Sequence, residues 1–428
     1  MNYVVKKQNV PLSGDIEVSP DKSISHRAVI LSAIAQGPGN IRNFLKAADT
    51  LSTCSCIARL GITVQQAPNE LTVYGQGLQG LKASEQVLDC GNSGTTMRLM
   101  AGLMAGQDFA SVLNGDESLS KRPMKRVIEP LRLMGADISG SNENLPPLKI
   151  KGGNLKGINY KMPVASAQVK SALLLAGLNA DGSTVVIEPV KSRDHTERML
   201  ASMGADIKSN EDGIKLWPGR DLYPVDWTIP GDISSAAFFM VAASIIPGSC
   251  VRIRNVGLNP TRTGIITVLN NMQADIKVEN LHQNGGEPVG DIIVSYSQLK
   301  GTLVEGDIIP WLVDEIPVLA VAMAAAEGHS TVKDARELRV KESDRIAAIC
   351  SQLAVLGVDL KELEDGFIIN GHPGIFKGGI VDSRGDHRMA MSLAIAGLCG
   401  RQETIVQNAE AVNISFPNFW DLLHKISH

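Results

Sequence analysis

Residues 202–217 read SMGADIKSNEDGIKLW, from Ser202 to Trp217. An amphipathic helix ends there at a small turn, and two short strands follow. The pattern returns as ARLGITVQQAPNELTVYG from Ala58, RLMGADI from Arg132, NMQADIKV from Asn271 and AVLGVDLKELEDGFIING from Ala354. Glycine suits the residue just past a helix because that position takes a left-handed backbone. Gly61, Gly135, Gly204 and Gly357 fall at this point, and Gln273 breaks the rule.

Outward from these segments lies a second recurring pattern: an Ala-rich apolar helix, a glycine and a β-rich strand. Its copies are Ser25 to Asn43, Ser93 to Asn114, Ala167 to Pro189, Ser234 to Asn255, Glu315 to Asp334 and Asp386 to Asn408. The period of about 65 to 80 residues exceeds that of solenoid repeats, so six small α/β units are predicted. The sixth copy begins at the C-terminal helix, Asn418 to Ile426, and runs out of chain; Tyr3 to Gln8 supplies its missing strand. This circular arrangement predicts an α/β (α+β) fold of two domains with three units each. One domain is discontinuous, 1–20 with 230–428, and the other is 21–229. The chain crosses near residues 20 and 230, and WTIPGD, Trp227 to Asp232, is the hinge candidate because Pro and Gly punctuate it.

Composition bounds the partners. The 428 residues are 44% hydrophobic and 20% charged, enough for two or three domains with full cores. A net charge of -4 and a pI of 6.1 give no reason to expect nucleic acid or a membrane surface. Met1 to Val10 has no apolar core, and the apolar runs Ala236 to Ile246 and Val318 to Ala326 fall short of the roughly 20 residues a bilayer needs, so a cytoplasmic protein is expected. The six cysteines are scattered, without CxxC or metal-ligand spacing, and read as reduced, buried thiols. Gly75 to Gly80 satisfies GxGxxG, but no long helix follows and no acidic residue stands at the ribose position. Nor is there a GxxxxGK[ST] loop, and Arg193 to Glu197, RDHTE, lacks HExxH spacing. No metal or organic cofactor is expected.

The chemistry lies at the starts of the Ala-rich helices. Asp21-Lys22-Ser23-Ile24-Ser25-His26-Arg27, Gly91 to Thr96, Ala165 to Gln168, Gly231 to Ser235, Asp314-Glu315 and Arg384 to Arg388 combine N-capping residues with backbone N–H groups. A helix dipole favours an anion at its N-terminus and opposes a cation, unless an anion sits there too. Lys22, Arg27, Arg98 and Arg388 nevertheless stand at such starts. More cations lie in SLSKRPM, Ser118 to Met124, and ELRVKESDR, Glu337 to Arg345. Read singly, each cap is an ordinary cap and each charge a solvated one. Together they point to a site for phosphate and carboxylate groups.

At these residues the chain resembles the 5-enolpyruvylshikimate-3-phosphate synthases (3-phosphoshikimate 1-carboxyvinyltransferases). The likeness runs in order through DKSISHR at Asp21, GNSGTTMR at Gly91, KRPM at Lys121, SAQVKSALLLAGL at Ser166, RDHTE at Arg193, GDISSAAFF at Gly231, NPTRTG at Asn259, DEIPVLAVA at Asp314, LRVKESDR at Leu338, GDHRMAM at Gly385 and SFP at Ser415. It implies two domains of three βαβαββ units that close on their substrates. It also implies transfer of the enolpyruvyl group of phosphoenolpyruvate to the 5-hydroxyl of shikimate 3-phosphate, with release of phosphate, through a tetrahedral intermediate. Two small-molecule substrates, no cofactor and a monomer are the expected partners and assembly.

By motif, the resemblance assigns shikimate 3-phosphate to Lys22, Ser23, Arg27, Ser166, Ala167, Gln168, Ser192, Arg193, Asp314 and Lys341. Phosphoenolpyruvate falls to Lys22, Asn92, Gly94, Arg122, Gln168, Arg345 and Arg388. Lys22, Asp314 and Glu342 are the catalytic candidates, with Asp314 as base for the attacking hydroxyl and Glu342 as acid toward the methylene carbon. Lys341 and Arg345 flank Glu342 and favour its ionised form, which bound anions would reverse. Ala167 stands where many members carry a second serine, and Ile414 where some carry a lysine. RDHTE, SAQVK and NPTR look like the second subgroup, in which glyphosate tolerance is found, with Arg193 and His195 replacing the Lys and Tyr of the commoner one. Gly94 lacks the extra methyl of some tolerant members, and Pro20 departs from that subgroup's Gly-Asp-Lys. The sister enzymes acting on UDP-N-acetylglucosamine use a loop cysteine, and Gly115 to Pro123 has none. A catalytically dead copy would be expected to lose one of Lys22, Arg122, Asp314, Glu342 or Arg388, and all are present.

Overall fold

The computed structural model of the protein describes residues 1–68 and 70–427. In the opening stretch, Asp206–Asn210 and Gly213–Trp217 pair antiparallel, with Asn210 opposite Gly213. Alternation does its usual work: Ile214 and Leu216 point inward. On the other face Lys208 and Lys215 reach over the Trp217 ring, 5.6 and 4.6 Å from its centroid.

Among the described residues the strands form five four-stranded sheets and one of three. One pattern recurs, as in the sheet where Leu88–Asp89 runs parallel to Ala110–Asn114, which pairs antiparallel with Leu145–Lys151 and through it with Asp137–Ser141. Two sheets borrow their first strand from far away. Ser13–Ile16 runs parallel to Cys250–Gly257, and Trp227–Thr228 parallel to Gln36–Arg42. The three-stranded sheet is closed by Asn2–Val5, antiparallel to Thr404–Gln407. This is the expected N-terminal strand, placed earlier than Tyr3 to Gln8: Gln8 has left the ladder, and its N–H bonds the Leu398 carbonyl.

The chain divides into two compact units, one of Met1–Ser19, Pro230–His282 and Pro288–His428, the other of Pro20–Ile229 with Gln283–Glu287. The expected boundaries placed 283–287 with the rest of 230–428. The structure groups this hairpin tip with 20–229, because Glu287 bonds His195 and a Cβ on Gly285 would lie 3.2 Å from the Trp227 ring.

The first unit is built on helices Ile233–Ile245, Ile316–Ala325 and His387–Leu398, which pack on one another and are buried on nearly every face. Apolar composition all round requires that position. The second is built on Lys22–Ala33, Gly94–Ala105 and Ala167–Gly177. A Cβ at Gly102 would stand 2.1 Å from the Ala172 carbonyl oxygen, so two of these helices meet backbone to backbone. The GxGxxG run is a strand end and turn with no helix after it; Gly75 is demanded by Ser32 O, 2.1 Å from where its Cβ would be. No single described helix is long and apolar enough to cross a bilayer.

The helix-ending residues Gly61, Gly135, Gly204 and Gly357 have φ of +85°, +98°, +92° and +92°, and Gln273 has +69°. Gln273 is exposed and bears the cost of a Cβ in the left-handed region. Gln273→Gly is expected to stabilise the protein by about 0.5–1 kcal/mol, after glycine's own entropy cost. The check is the urea midpoint, which should rise; a lower midpoint contradicts this account.

Candidate active site

Within the unit of 20–229, the helix starts bring their side chains into one connected set. Asp21 caps its helix by accepting from the Ile24 N–H at 2.8 Å, and the next residue's ammonium, Lys22 Nζ, lies 3.0 Å from Asp49 Oδ2. Arg27, one turn on, is buried. Its Nε donates to Thr196 Oγ1 at 2.7 Å, one Nη to Ser171 Oγ at 2.9 Å and the other to the Ser23 carbonyl at 3.0 Å. Burial pulls its pKa down to about 10 against the pull of Glu197 and Asp21, while Arg193 pushes it the same way as burial. Arg193 and Arg27 therefore sit within electrostatic reach of each other. His26 points elsewhere. Burial, then Lys22 and Arg27, hold it far below the usual histidine range, so it is a neutral member of a hydroxyl chain through Thr53, Thr96 and Ser93.

A second cluster surrounds the start of Gly94–Ala105. Arg122 donates to Asn92 Oδ1 at 2.7 Å, and the Asn92 amide donates to Asp116 at 2.8 Å. Gln168 donates to Thr95 Oγ1 at 2.9 Å and accepts from Arg98 at 2.6 Å. A Cβ on Gly94 would lie 2.7 Å from an Arg98 Nη and 3.6 Å from an Arg122 Nη, so two guanidiniums flank this glycine. Ser166 caps the third helix through Val169 N–H, and the Ala167 carbonyl accepts from Ser171 Oγ at 2.6 Å. Ser192 donates its N–H, at 3.2 Å, and its hydroxyl to the same Glu188 oxygen.

In the unit containing 230–282 and 288–428, one buried guanidinium organises the candidates. Arg345 reaches Glu342 at 2.7 Å, Asp386 at 2.8 Å and Asp314 at 3.2 Å. Burial alone would lower its pKa, but Asp386, Glu342 and Asp314 outweigh that and raise it. The same pairing holds Asp386 below the usual carboxylate range, although burial pushes it up. Arg388 donates to the Asp314 carbonyl at 3.1 Å and lies 3.8 Å from its carboxylate and 3.9 Å from Glu315. Lys341 is 4.0 Å from Glu337. Two arginines thus meet four carboxylates, and an incoming anion must compete for them.

The backbone N–H supply is smaller than the sequence suggested. Asp21, Ser93, Ser166, Asp232 and Asp386 each occupy an N–H of their own helix. At Gly231 the start is structural: Asp232 accepts from the Ser234 N–H and pairs with buried Arg262 at 3.0 Å.

A sequence profile described as EPSP synthase (3-phosphoshikimate 1-carboxyvinyltransferase) matches residues 6–423. The chain belongs to the EPSP synthase family. It is 60% identical over 418 residues to a 3-phosphoshikimate 1-carboxyvinyltransferase of Syntrophomonas wolfei, covering 97% of this chain and 98% of the relative. It is 53% identical over 430 residues to one of Thermodesulfovibrio yellowstonii, covering 100% of both. A solved EPSP synthase from Acinetobacter baumannii superposes with a TM-score of 0.89 at 45% identity, over 99% of this chain and 98% of that one.

The EPSP synthase motifs contain two cations whose contacts sequence reasoning left unassigned. Arg98, one of the cations at helix starts but given no substrate, bonds Gln168 and borders Gly94 beside Arg122; its place one turn inside a helix start was the signal. Lys170 of SAQVK lies fully buried between Glu188 and Glu197, at 2.7 Å from each. His195 bonds Glu287 at 2.7 Å. Among the described residues no three His, Cys, Asp or Glu gather as a metal site would require.

Proposed function

We propose that the protein transfers the enolpyruvyl group of phosphoenolpyruvate to the 5-hydroxyl of shikimate 3-phosphate and releases phosphate. The observation that carries this reading is the pair of carboxylates on one buried guanidinium, Asp314 at 3.2 Å and Glu342 at 2.7 Å from Arg345. Proton transfer in addition and elimination needs two such groups held in place. Asp314 takes the proton of the attacking hydroxyl as its oxygen adds to the enol carbon, and Glu342 delivers a proton to the methylene carbon. The tetrahedral intermediate then loses phosphate, which carries off the proton held by Asp314, and returns a methyl proton to Glu342, which restores the vinyl group and both carboxyl groups to their starting state.

Lys22, Asn92, Gly94, Arg122, Gln168, Arg345 and Arg388 bind phosphoenolpyruvate in this reading. Lys22, Ser23, Arg27, Ser166, Ala167, Gln168, Ser192, Arg193, Asp314 and Lys341 bind shikimate 3-phosphate. The Arg345–Glu342 contact keeps Glu342 ionised until bound anions draw Arg345 away, so Glu342 takes up its proton only in the ternary complex. The deciding experiment mixes the protein with both substrates and follows phosphate. Release that needs both compounds supports the reading. Absence of turnover, with anion binding unaffected by Lys22→Ala, overturns it.

The second subgroup is part of the proposal, supported by RDHTE, SAQVK and NPTR, and in this chain by Arg193 beside Arg27. A cytoplasmic monomer is the corresponding expectation for location and assembly, and sedimentation of the pure protein checks the latter.

A further inference from the structure

Lys170 closes SAQVK, and the proposed reaction gives it no role. Its side chain is 0% exposed, and those of Glu188 and Glu197 are 4% and 8% exposed. An isolated buried ammonium loses its proton or unfolds the site. Here the cation has two carboxylates at 2.7 Å and the Ser192 carbonyl at 3.4 Å, which uses all three N–H bonds. The three residues come from three elements: the helix Ala167–Gly177, the chain just past strand Thr184–Ile187, and the helix His195–Ser202.

The ammonium therefore fastens both ends of the segment 188–197 to one helix. That segment carries Ser192, Arg193 and His195. Glu188 turns its other oxygen to the Ser192 N–H and hydroxyl, so Lys170 holds Ser192 both at its carbonyl and through Glu188. On the Glu197 side, neighbouring Thr196 bonds Ser171 at 2.7 Å and receives Arg27 Nε at 2.7 Å. Lys170–Glu197 and Ser171–Thr196 are adjacent rungs between the same two helices, and Arg27 hangs on the second.

We infer that Lys170 is a positioning residue for the shikimate 3-phosphate half of the site, acting through Glu188 on Ser192 and through Glu197 on the Thr196–Arg27 contact. It touches no substrate. The inference rests on the proposed function, and it predicts a loss weighted to one substrate, because the residues tied to the ammonium, Ser192 through Glu188 and Arg27 through Thr196, belong to the shikimate 3-phosphate side of that reading.

The test compares Lys170→Met, Lys170→Arg and Glu188→Gln with the parent protein, measuring both KM values, kcat and the melting temperature. In Lys170→Met the KM for shikimate 3-phosphate is expected to rise about 10- to 100-fold, the scale on which an ångström of misplacement acts. The KM for phosphoenolpyruvate should change by less than about threefold. Lys170→Arg, which keeps a cation able to meet both carboxylates, should recover most of the loss. Glu188→Gln decides the matter if Lys170→Met does not fold: it keeps an acceptor for Ser192 but weakens the tether, and a rise for shikimate 3-phosphate alone supports the role. Unchanged KM values, or equal rises for both substrates, overturn it. A parent protein without turnover counts against the proposed function, not against Lys170.

Discussion

Asp314→Asn is expected to lower kcat by about a thousandfold while the protein stays folded. The amide keeps the size of the carboxylate and can still accept from Arg345, 3.2 Å away, and the backbone carbonyl that receives Arg388 at 3.1 Å is untouched. What disappears is an acceptor for the hydroxyl proton, and positioned proton transfer contributes on the order of 10²- to 10⁴-fold. The loss should appear in kcat and kcat/KM together, since the interaction belongs to the transition state. Phosphate release and a melting curve on the same sample check it. Activity within about tenfold of the parent would remove Asp314 from the base role.

Arg345→Met should act on stability as strongly as on turnover. Removing one partner of a buried ion pair costs about 3–5 kcal/mol, because the other charge stays behind. Asp386, with a side chain 0% exposed, would be left with Ser343 Oγ at 3.0 Å and the Arg388 N–H at 2.9 Å. The pH dependence has a definite sign. In the parent, Arg345 holds Asp386 below its unfolded value of 3.8 despite burial. The pair therefore stabilises the protein above that value, and the contribution is lost as pH falls through the lower folded one. Without the cation, burial raises the Asp386 value instead, so the variant gains relative stability on protonation. Urea melts should show the largest deficit near neutral pH and a smaller one on acidification. A deficit that grows toward acid contradicts this account.

Much of the architecture could be read from short-range rules. Glycine at a helix end needs only its own φ to be explained, which is why Gly61, Gly135, Gly204 and Gly357 were visible and why Gln273 stood out correctly. The N-terminal strand was found because the sixth repeat lacked one, though its ladder begins at Asn2. Partnerships between distant residues were not visible. SAQVK shows a lysine in an apolar helix, but the carboxylates that make it tolerable lie 18 and 27 positions on. Glu287 is 92 positions from His195, so grouping a hairpin tip with 20–229 required coordinates. Capping residues were recognised, but not that their own side chains would use the N–H groups that looked available to an anion. That choice depends on rotamers, which residue type alone does not set.

The borrowed strand Ser13–Ile16 has a bearing on biosynthesis. Its parallel partner Cys250–Gly257 lies more than two hundred residues downstream. At ribosomal rates of about 5–20 residues per second, the first strand waits on the order of tens of seconds for it. Residues 20–229 have meanwhile emerged and carry nearly all of their own unit. The nascent chain thus completes its internal half first, while its leading end stays unpaired until translation is well past the midpoint. Chaperone attention and premature termination should bear most heavily on that leading segment.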